Sequence, residues 1–291
     1  MIYDIIFVKC RDTSSAVTCG DEVSDLLNTS GLNCKSVHIR KFKLESTKSY
    51  VFLKPRTKHI DVIKRIPDSF FVYVDLIDLS KEDIKKCLCA GSSQIINVDS
   101  FICRTEENKD ILKPIYPDSS FEVIPHYISP SFRVLCENTS QFQPGFFGEM
   151  NKYYTAGREV KRYLKEHQYN IPNKPVRYEG SCPIGPGLSD CNFHMNLRDS
   201  RHKPSNKIIQ AAYSGSNILC SHSAGGVMEL LGDSYPYLCE DNVESAKQVM
   251  AKAKSDFGGA RWQYGLDIMR SILVSHGDSS IIDGYSRLVP R

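Results

Sequence analysis

Between Asn196 and Glu229 the chain gathers residues whose types and order suit the capture of a bulky anion. The run Asn196-Leu197-Arg198-Asp199-Ser200-Arg201-His202-Lys203 follows an apolar segment and leads into Pro204. Proline suits the first turn of a helix, where an amide hydrogen would lack a partner anyway. Arg198, Arg201, Lys203 and Lys207 then surround open helix amides; cations and amides alike favour an anion, and a diphosphate is a natural occupant. A second turn, Ser223-Ala224-Gly225-Gly226, separates the apolar Ile218-Leu219-Cys220 from the helical pattern Val227-Met228-Glu229-Leu230-Leu231. Paired glycines before a helix let the backbone approach an anion closely and turn its amides inward. Glu229, one turn into that helix, is placed to accept hydrogen bonds from ribose hydroxyls. Gln210, two turns along the earlier helix, bonds hydroxyls in either direction.

Proton transfer needs a different kind of residue. Asp75 and Asp78 end the most hydrophobic run of the first half, Phe70-Phe71-Val72-Tyr73-Val74, and His126 follows Pro125. Asp75 and His126 are the candidates to take a proton from an attacking hydroxyl. Each has a structural alternative: the aspartate as a helix cap or a satisfied buried carboxylate, the histidine as a hydrogen-bonded core residue. The basic run likewise doubles as a solvated face, and Gly225-Gly226 as a simple tight turn.

The elements that must position these residues read as an α/β chain. Strand-like runs fall at 2–8, 36–39, 50–53, 70–76, 94–98 and 121–124, with helical spacing at 21–27 and 81–88. Several strands are apolar throughout, which suits parallel strands buried on both faces. Prolines and glycines punctuate 125–148. Beyond it the pattern gives a long helix over 149–166, a strand at 176–178, strands at 191–196, 217–220 and 237–238, and helices at 204–214, 224–231, 243–255 and 261–273. The expected organisation is two Rossmann-like lobes with parallel sheets and an interlobe cleft. They are an N-terminal acceptor lobe over 1–125 and a nucleotide-binding lobe over 126–275, with a tail over 276–291 whose Leu288-Val289-Pro290-Arg291 resembles a cleavable-tag remnant.

Composition narrows the partners. Across 291 residues, 37 Lys and Arg stand against 34 Asp and Glu, spread along the chain, so no broad footprint for duplex nucleic acid exists. The eleven cysteines sit in a chain without a signal-peptide start, so reduced thiols and a cytoplasmic setting are expected. Only Cys87 and Cys89 form a close pair, against a structural zinc site. Apolar runs fall short of the roughly 20 residues that span a bilayer, so any membrane association is expected to be peripheral.

The segments 203–219 and 221–231, K-P-S-N-K-I-I-Q-A-A-Y-S-G-S-N-I-L and S-H-S-A-G-G-V-M-E-L-L, resemble the donor-binding half of GT-B glycosyltransferases. The segment V-I-P-H-Y-I-S-P at 123–130 is similar to the interlobe stretch of small members of that group. The resemblance implies a sugar nucleotide as donor, held by Arg198, Lys203, Lys207, Gln210, Ser223, Ala224, Gly225, Gly226 and Glu229. It implies transfer to a hydroxyl of a glycan, lipid-linked or small-molecule acceptor in polysaccharide or glycoconjugate biosynthesis, with no metal cofactor required. Two departures stand out. Many retaining members carry two glutamates with seven residues between them, where this chain has His202 and Gln210, and the glycine-rich loop often found after the first strand is replaced by Lys9-Cys10-Arg11-Asp12. A GT-B-like binding protein without transfer activity, or a sugar-nucleotide epimerase, are the alternatives. The oligomeric state is not legible in the chain.

Overall fold

The computed structural model describes residues 2–11, 13–55, 59–76, 98–137, 140–146, 159, 162, 188–197 and 206–290. They divide into two units: residues up to Tyr127 with those from His276 onward, and residues from Ile128 to Ser275.

The first unit is built on six strands: β1 (Tyr3–Lys9), β2 (Cys34–His38), β3 (Thr47–Leu53), β4 (Phe71–Asp75), β5 (Ser100–Cys103) and β6 (Ser120–Val123). All pair in parallel, in the order β2-β1-β3-β4-β5-β6. The period-2 alternation of side chains sorts them into two cores. Ile6, Val8, Tyr50, Phe52, Val72, Val74 and Phe101 lie on one face. Ile5, Phe7, Val51, Leu53, Tyr73 and Ile102 lie on the other. Near-continuous apolar strands are therefore buried on both sides, as a doubly wound sheet requires.

Helices cover both faces. The chain after β1 forms α1 (Ser14–Val17), a π turn (Thr18–Glu22) and α2 (Val23–Thr29), whose Val23 and Leu27 seal the second face. The other face takes Ile63 of α3 (Ile60–Ile63) and Leu112 of α4 (Glu106–Leu112), a helix capped by the Thr105 hydroxyl accepting from the Asn108 amide.

The second unit has β7 (Phe193–Asn196), β8 (Asn217–Ser221) and β9 (Leu238–Cys239) in a parallel sheet of that order. Its helices are α5 (Asn206–Tyr213), α6 (Val227–Leu231), α7 (Val243–Asp256) and α8 (Ala260–His276). One core joins Phe193, Met195 and Leu219 of the sheet to Ile208 and Ile209 of α5, Met250 of α7, and Trp262, Met269 and Ile272 of α8. Residues 143–145 run beside β7: Pro144 bridges Phe193 in parallel, and the Gly145 amide donates to the Phe193 carbonyl at 2.9 Å.

The chain then returns to the first unit. In α9 (Asp278–Ser286), Ile281 and Tyr285 are buried in the same core as Ile5 and Phe7. The Ser49 hydroxyl donates to the Leu288 carbonyl at 2.6 Å, and Leu288 is buried with them, so the segment expected as a tail packs as part of the core. The strand at 100–103 is one that the hydrophobic pattern did not single out. The expected helix at 81–88, the strand at 176–178 and most of the runs at 94–98 and 149–166 lie outside the described residues.

Candidate functional site

In the second unit β7 and β8 are adjacent and parallel, with Asn196 opposite Cys220, while Ser221 of β8 pairs with Cys239 of β9. The segments after β7 and β8 therefore leave the same edge of the sheet, the carboxyl edge where open α/β folds bind ligands. Asn196, which opens the basic run, is buried at the end of β7 and adds a polar side chain there.

The turn after β8 is held by its own backbone. The His222 amide donates to the Cys239 carbonyl at 3.0 Å, the Ala224 amide to Ser221 at 3.1 Å and the Val227 amide to Ala224 at 3.2 Å. Gly226 takes the left-handed conformation, φ 73 and ψ 3, at the start of α6. An L side chain there costs about 1–2 kcal/mol, so glycine is what allows the turn. No described residue accepts from the Gly225 amide. The Ser223 hydroxyl bonds the Asp241 carboxylate at 2.7 Å, and Glu229 is exposed in the first turn of α6.

Lys207 and Gln210 lie three apart on α5, hence on one flank of the helix, and both are half-buried. Ile208, Ile209, Ala211 and Ala212 pack against the sheet. The Lys207 ammonium stands 4.1 Å from the centroid of the Phe146 ring, a cation–π contact. Its field also reaches two buried groups of the sheet. Burial first, and Lys207 second, push the His194 imidazole down to about 4, against a hydrogen bond to Cys191 that works the other way. The Cys220 thiol is raised well above its ordinary value by burial and by Cys239, with Lys207 opposing. Phe146 was not foreseen: the one sign of it is that Pro144-Gly145-Phe146 breaks a loop-like stretch with an apolar ring. Arg198, Arg201, His202 and Lys203 lie outside the described residues, as do Asp78, Cys87 and Cys89.

In the first unit, Asp75 at the end of β4 is fully buried and ion-paired with Arg104, which is itself 3% exposed. The Arg104 guanidinium also donates to the carbonyls of Ile124 at 3.1 Å and Pro125 at 3.2 Å, and contacts the Tyr285 hydroxyl at 3.3 Å. Beside it the Tyr285 phenol is pushed well above its ordinary range, chiefly by burial. His126 follows directly and is buried. Its Nδ1 lies 2.7 Å from the Tyr127 carbonyl, an atom that can only accept. Nδ1 therefore carries the proton, and the lone pair of the neutral ring sits on Nε2. Arg104 and Tyr285, absent from the sequence expectations, join the two candidate bases into one constellation.

Among the described residues no group of three His, Cys, Asp or Glu side chains is placed to hold a metal ion, and the eight described cysteines are free thiols. Burial pushes Cys10, Cys34, Cys103, Cys191 and Cys239 up to about 12, so these thiols are packing residues rather than nucleophiles. Among the described residues, no helix is long and apolar enough to cross a membrane.

Solved structures share this fold over nearly the whole chain. A glycosyltransferase from Rickettsia africae superposes with a TM-score of 0.72 at 10% identity, over 99% of this chain and 98% of its own. Sucrose-phosphate synthase from Thermosynechococcus elongatus gives 0.69 at 8% identity, over 98% of both chains. HepE from Anabaena, in complex with UDP-glucose, gives 0.69 at 9% identity, over 97% of this chain and 98% of its own. No family model matches the chain, and no curated protein matches it in sequence. The fold is that of the GT-B glycosyltransferases, as 203–231 led us to expect.

Proposed function

We propose that this protein is a glycosyltransferase that takes its sugar from a nucleoside diphosphate held by the second unit and passes it to an acceptor hydroxyl. The observation that carries this is the shared carboxyl edge of β7 and β8. From it leave both the basic segment that leads to Lys207 and the Gly225-Gly226 turn. Support comes from neighbours of the same fold and length, one of them solved with UDP-glucose.

In this reading the donor diphosphate lies against Arg198, Lys203 and Lys207 and the amides of Ser223, Ala224, Gly225 and Gly226. These groups neutralise the charge that grows on the departing diphosphate. Gln210 and Glu229 take the ribose hydroxyls. Of the two candidate bases we assign proton removal to His126, because its Nε2 keeps a lone pair while Nδ1 is held by Tyr127. Asp75 is then a positioning residue. It holds Arg104, and Arg104 holds the two carbonyls that precede His126. The acceptor is a glycan, lipid-linked or small-molecule hydroxyl, in line with a role in polysaccharide or glycoconjugate synthesis.

The test is a thermal-shift screen against UDP, GDP, CDP and TDP, followed by incubation with the matching sugar nucleotide and no acceptor. Stabilisation by one diphosphate with slow release of that diphosphate is expected. Binding with no release makes the chain a binding protein. A sugar converted while still attached to its nucleotide makes it an epimerase, and no binding of any diphosphate overturns the proposal.

A further inference from the structure

A cavity lies in the second unit, at the amino-terminal edge of its sheet, opposite the carboxyl edge. It measures about 520 Å³, within the roughly 300–1,000 Å³ range of small-ligand sites, and its walls carry Asp233, Tyr235, Lys252, Arg261 and Tyr264. Tyr235 precedes β9, Lys252 comes from α7, and Arg261 and Tyr264 come from the first two turns of α8. The walls are rigidly held. The Asn217 side-chain amide donates to the Trp262 carbonyl at 3.0 Å, and a methyl group on Gly265 would stand 2.4 Å from the Asn217 side chain, so α8 is seated directly on β8. Tyr235 is fixed through its hydroxyl, which accepts from the Ile218 amide at 2.8 Å.

The chemistry of the cavity is specific. Tyr264 keeps 47% of its surface exposed, yet its hydroxyl is tied to the Ser234 hydroxyl at 2.9 Å, so the ring is open to solvent but not free to turn. Among the described residues neither Arg261 nor Asp233 has an ion pair or a side-chain hydrogen bond. A fixed aromatic face with a guanidinium and a carboxylate at its margin matches one ligand class in particular. A pyranose offers an apolar C–H face to the ring and a rim of hydroxyls that donate to the carboxylate and accept from the guanidinium. A wholly apolar ligand would leave the charges of Asp233, Lys252 and Arg261 without a partner, whereas a ring of hydroxyls serves cation and carboxylate alike.

We infer that this cavity is a carbohydrate-binding site, separate from the nucleotide site, that takes a neutral pyranose unit of a glycan against Tyr264. The inference does not depend on the transfer reaction. Its place at the other edge of the sheet suits a surface that retains a glycan while the carboxyl edge holds the nucleotide.

Trp262, the only tryptophan of the chain, is buried in the core next to Arg261 on α8 and gives a fluorescence signal from the helix that carries Arg261 and Tyr264. The experiment titrates maltotriose, cellotriose and chitotriose against the full chain, with tryptophan fluorescence and calorimetry as readouts, in the presence and absence of saturating UDP. One oligosaccharide at least is expected to bind in the millimolar range, with UDP present as well as absent. Tyr264→Ala and Arg261→Ala should each weaken it at least tenfold, with the melting temperature and the response to UDP unchanged. The inference is overturned if none of the three sugars binds, if binding survives both substitutions, or if UDP displaces it. Tight binding of inorganic pyrophosphate that is lost in Arg261→Ala would make the cavity an anion site and overturn it as well. Failure to bind any of the four nucleoside diphosphates sinks the proposed transfer reaction and leaves this inference standing.

Discussion

Lys207 is the one basic residue of the proposed diphosphate clamp that the structure describes, and its surroundings say what its loss would do. The ammonium rests on Phe146 and lies near His194 and Cys220. Lys207→Met keeps an unbranched chain against the ring and removes the charge. A charge-assisted hydrogen bond contributes about 1.5–3 kcal/mol, so UDP should bind some 10- to 100-fold more weakly by calorimetry while the melting temperature without ligand barely moves. His126→Ala should behave in the opposite way, lowering kcat by about 10²–10⁴ with the affinity for UDP intact. His194 supplies a pH test. Its folded value, about 4, lies below the 6.5 of the free side chain. The unfolded chain therefore takes up the proton first, and stability falls as pH drops from about 6.5 to about 4, by up to about 3 kcal/mol. His194→Gln should flatten that limb in urea titrations at pH 4.5 and 7; an unchanged slope would mean that other groups govern it. At this scale the sequence was informative where residue type alone carries chemistry, as with Lys207 and the glycines. It was silent on Phe146 and Arg104, because an apolar ring in a loop and an arginine after a strand acquire their roles only from what packs beside them.

Elements were legible where hydrophobic periodicity was strong. β1, β4, β7 and β8 fall at or within about two residues of their expected bounds, because their apolar side chains have few other ways to be buried. β5 was missed, since Ser100-Phe101-Ile102-Cys103 is short and its neighbours are polar; what makes it a strand is its place between β4 and β6. Missing it hid Arg104, which follows it and joins β4, β6 and α9 through Asp75, Ile124 and Tyr285. A buried ion pair is costly to break from one side, because the remaining charge has no water to return to. Asp75→Ala should thus destabilise the first unit by about 3–5 kcal/mol in urea unfolding. Arg104→Ala should do the same and also free the carbonyls before His126. The double substitution should cost less than the sum of the two, since each single change already strands the other partner. Additive losses would show that the pair does not act as a unit.

At the scale of the whole chain, apolar cores divided between two compact units imply two cooperative transitions rather than one. The described residues of the proposed nucleotide site lie on the second unit, so a ligand that binds there should raise chiefly that unit's transition. At a hundredfold excess over its Kd, UDP contributes about 2.7 kcal/mol, which corresponds to a rise of roughly 5–10 °C for a unit of this size. The effect should persist in EDTA if, as proposed, lysine, arginine and backbone amides do the neutralising. Loss of the shift in EDTA would bring a metal into the site. The return of the chain gives the complementary arm. Nothing in the pattern of 278–288 says which sheet those residues cover, yet Ile281, Tyr285 and Leu288 fill the core beside Ile5 and Phe7. A chain ending at residue 277 would leave that face open, with an edge-to-face contact between Phe7 and Tyr285 and the Ser49 bond to Leu288 both lost. Calorimetry of the truncated chain should show the first unit's transition lowered or absent and the second unit's transition, with its response to UDP, in place. If instead both transitions fell together, or UDP raised both, the two units would melt as one cooperative body and the assignment of the nucleotide to the second unit would lose its support from melting.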